Sequence, residues 1–359
     1  MARQRAKAWD GSKAASAAEA HKAARELVRE AERRRSHARA EEPGRGREAE
    51  WPREIPWQGW KDILKRTWQE IGADNLGLVS AGVAFYWMLA LFPAMAALIS
   101  LYGLVADPAD VQRQMEAVAF LMPVEVAQVI KAQLIAVAAA APSGLSLGVL
   151  VSLAITIFSA TKGTTAIIQA LNIAYEEEER RSFVRHNLLA LALTLGGILV
   201  FLIALGLIVL IPFLLQAVWL DFAADWVVLV GRWFLLAGLV FGMLVLIYRI
   251  GPNRRDPKFR WVAWGAAFAT LLWILGSLVF AWYVQAFGSY NKTYGSIGAV
   301  IVTLLWLYVS AYIVLLGAEV NSEIEHQTAR DSTVGPGRSL GARGAFMADS
   351  VGKRYDEKE

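Results

Sequence analysis

Apolar residues in this chain fall in long runs broken by short charged stretches. No residue is charged between Asn75 and Ala106, between Asn187 and Leu220, between Arg260 and Lys292, or between Lys292 and Glu319. Each run holds more than the roughly 20 residues with which a helix crosses a bilayer. Two further runs complete the pattern, one starting near Gly144 and one ending at Tyr248. The expected fold is all-α, a polytopic membrane protein with six transmembrane helices within residues 75–325. Ahead of them, Trp57, Trp60, Leu64, Trp68 and Ile71 recur at spacings of three and four with Lys61, Lys65 and Arg66 between. That periodicity predicts an interfacial amphipathic helix over 55–74. Asp107 to Gly144 reads as two moderately amphipathic helices broken near Met122-Pro123, an extracytoplasmic hairpin between transmembrane helices 1 and 2. Its competing reading is a shallow re-entrant segment.

Composition agrees with the class. The 359 residues are 56% hydrophobic with mean hydropathy +0.39, which is too apolar for an ordinary soluble domain. Fourteen tryptophans suit the two membrane interfaces. With no cysteine, disulfides and thiolate chemistry are excluded. No apolar signal-peptide core precedes Asp74, so the first span is expected to act as an uncleaved insertion signal. Residues 1–54 are rich in Ala, Arg and Glu and read as a charged, disordered tail, and 326–359 as a flexible one. Loop charge sets the orientation. Arg180, Arg181 and Arg185 lie between spans two and three, and Arg249, Arg254, Arg255, Lys258 and Arg260 between four and five, whereas the opposing loops are poor in Lys and Arg. Both termini are therefore expected to be cytoplasmic.

Polar residues inside the spans are the candidate chemistry. Lys162, Thr165, Gln169 and Asn172 fall within an arc of about 80° on the second span, which gives one helix face a polar stripe. By rise per residue, Lys162 and Glu319 both sit toward the cytoplasmic side, roughly 25 Å and 34 Å along their helices. An ionisable group in a span is costly unless paired or facing water, so Lys162 and Glu319 are expected to approach one another beside Gln169, Asn172 and Asn321. Their bland reading is an ion pair and polar glue. The polar turn between spans five and six contributes Tyr290, Asn291 and Tyr294, which line the opposite end of a path or belong to an aromatic belt. Pro93 is expected to kink the first span. Gly238 and Gly242 form a GxxxG that suits close helix contact.

Three stretches carry a resemblance: NIAYEEEERRSFVRHNLLAL, NRRDPKFRWVAWGAA and FGSYNKTYGSIGAVIVTLLWLYVSAYIVLLGAEVN. In order and spacing, roughly from Trp57 to Glu325, the chain resembles the YihY/BrkB family of bacterial inner-membrane proteins. The resemblance implies six spans in the bacterial inner membrane. It implies no settled activity, since members have been called virulence or serum-resistance factors and ribonuclease BN, and some are linked to lipid transport. Zinc-dependent RNA cleavage needs clustered histidines and carboxylates, and His21, His37, His186 and His326 are not spaced as ligand pairs. The expectation is a non-enzyme with no catalytic residues, metal or cofactor, and with membrane lipids, anionic ones among them, rather than nucleic acid as partners. Two functions stay open: a transporter or flippase of an anionic or amphiphilic envelope lipid, and a non-transporting scaffold or envelope-integrity factor.

Overall fold

The computed structural model describes residues 30–31, 33–105, 147–217, 222–286 and 296–357. The described residues are helical, with one isolated antiparallel bridge between Pro257 and Thr333. After a short 3-10 turn at Pro52–Glu54 come α1 (Trp57–Ala73), α2 (Leu76–Val105), α3 (Leu147–Ala174), α4 (Phe183–Ala217), α5 (Phe222–Ile250), α6 (Phe259–Ala286), α7 (Ser296–Glu325) and the short α8 (Phe346–Asp349). Four stretches, Phe183–Ala204, Val230–Ile250, Phe259–Val284 and Val300–Glu325, are long and apolar enough to cross a membrane. A fifth arises if α1 and the start of α2, bent by 61° at their junction, form one span. The expected hairpin over 107–144 and most of the polar turn before Ser296 lie outside the described residues.

The chain divides into two compact units. One comprises residues 68–253 and 262–321 and holds most of the long helices. Here α2 packs on α3, and small residues decide where. Ser80 and Ala84 are buried, while Gly82, half a turn away, faces open space. On the facing helix a Cβ at Gly163 would stand 2.8 Å from Cδ1 of Trp87. Ile168 of α3 packs with Ala190 and Leu193 of α4, and Ile247 and Ile250 of α5 close over them. At the α6–α7 crossing the backbones touch. A Cβ on Gly265 would collide with the Gly317 carbonyl, and one on Gly317 would stand 2.5 Å from the Tyr248 hydroxyl and 2.6 Å from Ala269 Cβ. Tyr248 closes that junction by donating from Oη to the Val314 carbonyl at 2.6 Å. Farther along, Trp273 Nε1 donates to Ser310 Oγ at 3.1 Å, and its ring leans on Trp306. The GxxxG expectation is corrected: among the described residues, nothing lies within 4 Å of a Cβ at Gly238 or Gly242. The motif sits on an open face of α5, because small residues permit an approach without supplying a partner.

The other unit, residues 1–67, 254–261 and 322–359, corrects the expectation of loose ends over its described part. Arg45, Arg47, Gln327, Thr328, Thr333 and Val351 are all buried. Arg47 donates to the carbonyls of Gln327 at 3.2 Å and Gly352 at 2.9 Å, and to Glu42 at 2.8 Å. Arg343 donates to the carbonyls of Ala329, Arg330 and Ala348. Composition misleads here because long cationic side chains, read as solvated, instead satisfy backbone carbonyls that have no helix or sheet partner. Two glycines allow the approach. A Cβ on Gly59 would collide with the Arg45 carbonyl, and one on Gly352 would stand 2.5 Å from the Arg66 guanidinium.

The glycine contrast is testable. Gly265→Ala and Gly317→Ala each overpack a backbone crossing and are expected to cost about 1–3 kcal/mol. Gly238→Ala and Gly242→Ala add a methyl in open space and remove backbone freedom, so they are expected to be neutral or to stabilise by about 0.5–1 kcal/mol. Thermal unfolding of the detergent-solubilised protein, followed by loss of the monodisperse peak, separates the pairs; equal shifts at all four would contradict the crossing.

Candidate functional site

The polar stripe of α3 is real but divides by environment. Lys162 and Gln169 are exposed, Thr165 is half-buried and Asn172 is buried. The threonines are occupied locally: Thr161 donates to the Ile157 carbonyl at 2.7 Å and Thr165 to the Thr161 carbonyl at 2.9 Å. Thr164 reaches across to Thr194 of α4, Oγ1 to Oγ1 at 2.7 Å. Lys162 turns its ammonium over the Phe158 ring, 5.1 Å from the centroid. Glu319 of α7 is 1% exposed, so the two charges occupy opposite environments. The described contact of Lys162 is with Phe158 and not with Glu319. Pro93 lies inside the continuous α2, with its side chain outside the described residues, as are Tyr290, Asn291 and Tyr294 entirely.

Asn321 is committed to backbone at both ends, and Asn172 to backbone at one end and a carboxylate at the other. Asn321 accepts from the Gly265 N–H through Oδ1 at 2.7 Å and donates through Nδ2 to the Val262 carbonyl at 2.9 Å, straddling one turn of α6. Asn172 accepts from the Asn253 N–H at 2.7 Å and donates to Glu179 at 3.1 Å. Around that pair the α3–α4 and α5–α6 connections are stitched together. Glu179 receives Arg181 Nη2 at 2.6 Å and Nε at 2.8 Å, and lies 3.0 Å from His186 Nδ1. Arg181 also donates to the Gly251 carbonyl at 2.8 Å, and Asn253 Nδ2 to the Glu178 carbonyl at 2.7 Å. The Arg181 guanidinium holds the Glu179 carboxyl down at about 2, against partial burial, with a further bond from Asn172. Within EEEERR, Glu179 is thus a structural acid, whereas the Arg180–Glu178 pair beside it is largely exposed.

A second charged cluster was not anticipated from the sequence. In the unit built from the chain ends, α1 turns Asp62 and Arg66 inward. Asp62 is fully buried and accepts from Arg45 Nη1 at 2.7 Å, the Tyr355 N–H at 2.7 Å and Gln327 Nε2 at 3.2 Å. Arg66 donates to Glu323 at 2.5 Å, Gln327 Oε1 at 2.9 Å and the Lys353 carbonyl at 2.7 Å. Nearby, Arg254 pairs with Glu325 at 2.6 Å, which also accepts from Ser332 at 2.5 Å. Burial pushes the Arg47 guanidinium below its usual value. The available signal was a double i,i+4 spacing: Asp62/Arg66 on one helix and Glu323/Gln327 at the end of another put opposite partners on matching turns. Asp62, Arg66, Glu323 and Glu325 all meet protein partners, so the cluster is structural in its chemistry.

The pH dependence follows from Glu179. Its folded value of about 2 lies below the ordinary 4.5, so its contribution is fully present above about pH 4.5 and is lost as pH falls toward 2. Discounted for partial exposure, that contribution is about 1–2 kcal/mol. Glu179→Gln is expected to lower the thermal midpoint at pH 7 and to flatten its fall between pH 5 and 3; an unchanged acid profile would remove Glu179 from the clamp.

Comparison with known proteins places this architecture. The virulence factor BrkB family matches residues 67–339. A ribonuclease-like protein, YfkH, of Bacillus subtilis is 36% identical over 187 residues, half of this chain and 64% of that one. UPF0761 membrane proteins of Idiomarina loihiensis and Mannheimia succiniciproducens are 37% and 40% identical over 93 and 89 residues, about a quarter of this chain and 32% and 30% of theirs. The chain therefore spans less than two thirds of these relatives. No solved structure matches. With the family match covering the long helices and both stitched connections, the chain belongs to the virulence factor BrkB family.

Proposed function

We propose that this membrane protein is a carrier of a lipid-like anion in the bacterial inner membrane, with six spans and both ends cytoplasmic, and that Lys162 receives the anionic headgroup. One observation carries the reading. Lys162 is exposed on α3, twelve residues before the helix ends at Ala174, and its described neighbour is an aromatic ring rather than a carboxylate. At 1.5 Å per residue it lies roughly 18 Å inside the helix end, at a depth where an ammonium is costly unless it meets water or a negative group. A passing phosphate or carboxylate headgroup answers that cost, and exposed Gln169 continues the polar track two turns on. The reading assigns the chain no catalytic step. A scaffold role is the second reading, favoured by the commitment of Asn172 and Asn321 to backbone, which holds connections and helices rigidly.

Proteoliposomes carrying fluorescent anionic or zwitterionic lipids distinguish the two. Protein-dependent translocation of the anionic lipid is expected, retained in Lys162→Arg and reduced to the protein-free background in Lys162→Ala, with both variants monodisperse. Translocation that is absent, or indifferent to residue 162, would overturn the carrier reading.

A further inference from the structure

Helix α1 is folded with its amphipathicity reversed. Its inward face is Gly59, Asp62, Ile63, Arg66 and Thr67. Its outward face carries Trp57, Leu64 and Trp68, which are 66%, 56% and 78% exposed, with Lys61 exposed among them. Positions 57, 61, 64 and 68 are spaced by four, three and four, so they form one continuous stripe. Nothing is left for the inward charges to gain by turning out, since Asp62 and Arg66 have their hydrogen bonds within the protein. In water the arrangement would leave two indoles and a leucine in contact with solvent, a patch that marks an interaction surface.

The surroundings of that stripe say what it meets. Trp51, 40% exposed, has the Arg260 guanidinium 4.8 Å and the Arg53 guanidinium 5.1 Å from its ring centroid. The Lys61 ammonium lies 5.9 Å from the Trp57 ring. Of the acids nearby, Glu54 turns its carboxylate back onto the N–H groups of Glu50 and Trp51, at 2.8 and 3.1 Å, and Asp62 is buried. Along the stripe itself the outward residues are two indoles, Leu64 and Lys61, with Arg53, Arg260 and the exposed Glu50 flanking Trp51. After Ala73 the chain breaks at Asn75, which has φ 50, and the next helix leaves at 61° as an apolar one. A helix that departs obliquely from an apolar helix, with indoles and ammonium groups on one side, has the chemistry of the headgroup layer.

We propose that the stripe formed by Trp57, Lys61, Leu64 and Trp68, extended by Trp51 and Arg53, docks on the surface of an anionic bilayer. The indoles and Leu64 enter the boundary between headgroups and acyl chains, and the cations meet lipid phosphates. This holds whether or not Lys162 carries cargo, because it concerns a different face and needs no translocation. Its consequence is that the membrane reinforces the rotation of α1 that Asp62 and Arg66 already set through their bonds within the protein.

The chain has no cysteine, so a single nitroxide label reports one position cleanly. The full chain carrying Leu64→Cys or, on the flank of the helix, Gln69→Cys is reconstituted in nanodiscs of phosphatidylcholine with or without phosphatidylglycerol. The label at 64 is expected to collide with oxygen severalfold more than with an aqueous nickel complex, the label at 69 to show the reverse, and phosphatidylglycerol to deepen the label at 64. Adding Lys61→Glu is expected to abolish that deepening. Equal nickel access at 64 and 69 would overturn the proposal by placing the stripe in water. A label at 64 shielded from both quenchers in a manner that depends on protein concentration would overturn it in favour of a second copy of the chain.

Discussion

Backbone must meet backbone at the crossing of α6 and α7, and the rest of the long-helix unit is compatible with little else. Two glycines remove the side chains that would hold the helices apart, and the Asn321 amide takes one N–H and one carbonyl of a single α6 turn. An amide inside an apolar bundle is destabilising unless both its ends are used, and here both are. The same bonds set the register of α7 against α6, since a slip of one residue would strand the amide and drive a Cβ into the crossing. Tyr248 adds a third helix to that junction by bonding the Val314 carbonyl where α7 passes. The close approach therefore requires glycine at both positions, while the register requires asparagine at one.

The connections obey the same rule with charge in place of amides. Between α3 and α4 the chain must turn within eight residues, and Glu176 takes a left-handed conformation at φ 51 to do it. Carbonyls freed by that turn and by the end of α5 need donors, and Arg181 supplies two of the bonds while Glu179 fixes its orientation. The run of glutamates is not interchangeable. Glu179 is held by Arg181, Asn172 and His186, whereas the Glu178 carboxylate meets Arg180 in an exposed pair.

Much of the fold was legible because apolar runs of this length have one cheap solution. Residues 183–204, 230–250, 259–284 and 300–325 form helices where the apolar runs stand, and the tryptophan-bearing helix before them begins at Trp57. What was not legible depends on which side of a helix finds a partner. Spacing correctly set Trp57, Leu64 and Trp68 on one face of α1, but it was silent on the fact that the opposite, charged face is the one the protein buries. The Arg- and Glu-rich ends read as solvated because composition counts charges without seeing their partners; besides Asp62, Arg45 meets Asp356, 311 residues away, and Arg39 meets Glu357, 318 residues away. GxxxG in α5 failed for the complementary reason, being permissive without being used.

The candidate site shows how burial redistributes roles that the sequence groups together. Lys162, Gln169, Asn172 and Asn321 look alike as polar residues in apolar helices, yet the two asparagines are hydrogen-bonded within the protein at both ends of their amides and the lysine and glutamine are not buried. A saturated amide has no remaining valence to offer a ligand and gains nothing by changing partners, so it belongs to the scaffold. An exposed ammonium behind an aromatic ring is different: its interaction with Phe158 is weak beside a full ion pair, and exchanging that ring for an anionic group is downhill in a medium of low dielectric. The division puts Asn172 and Asn321 in the hydrogen-bonded frame and leaves Lys162 and Gln169 as the exposed polar groups of α3.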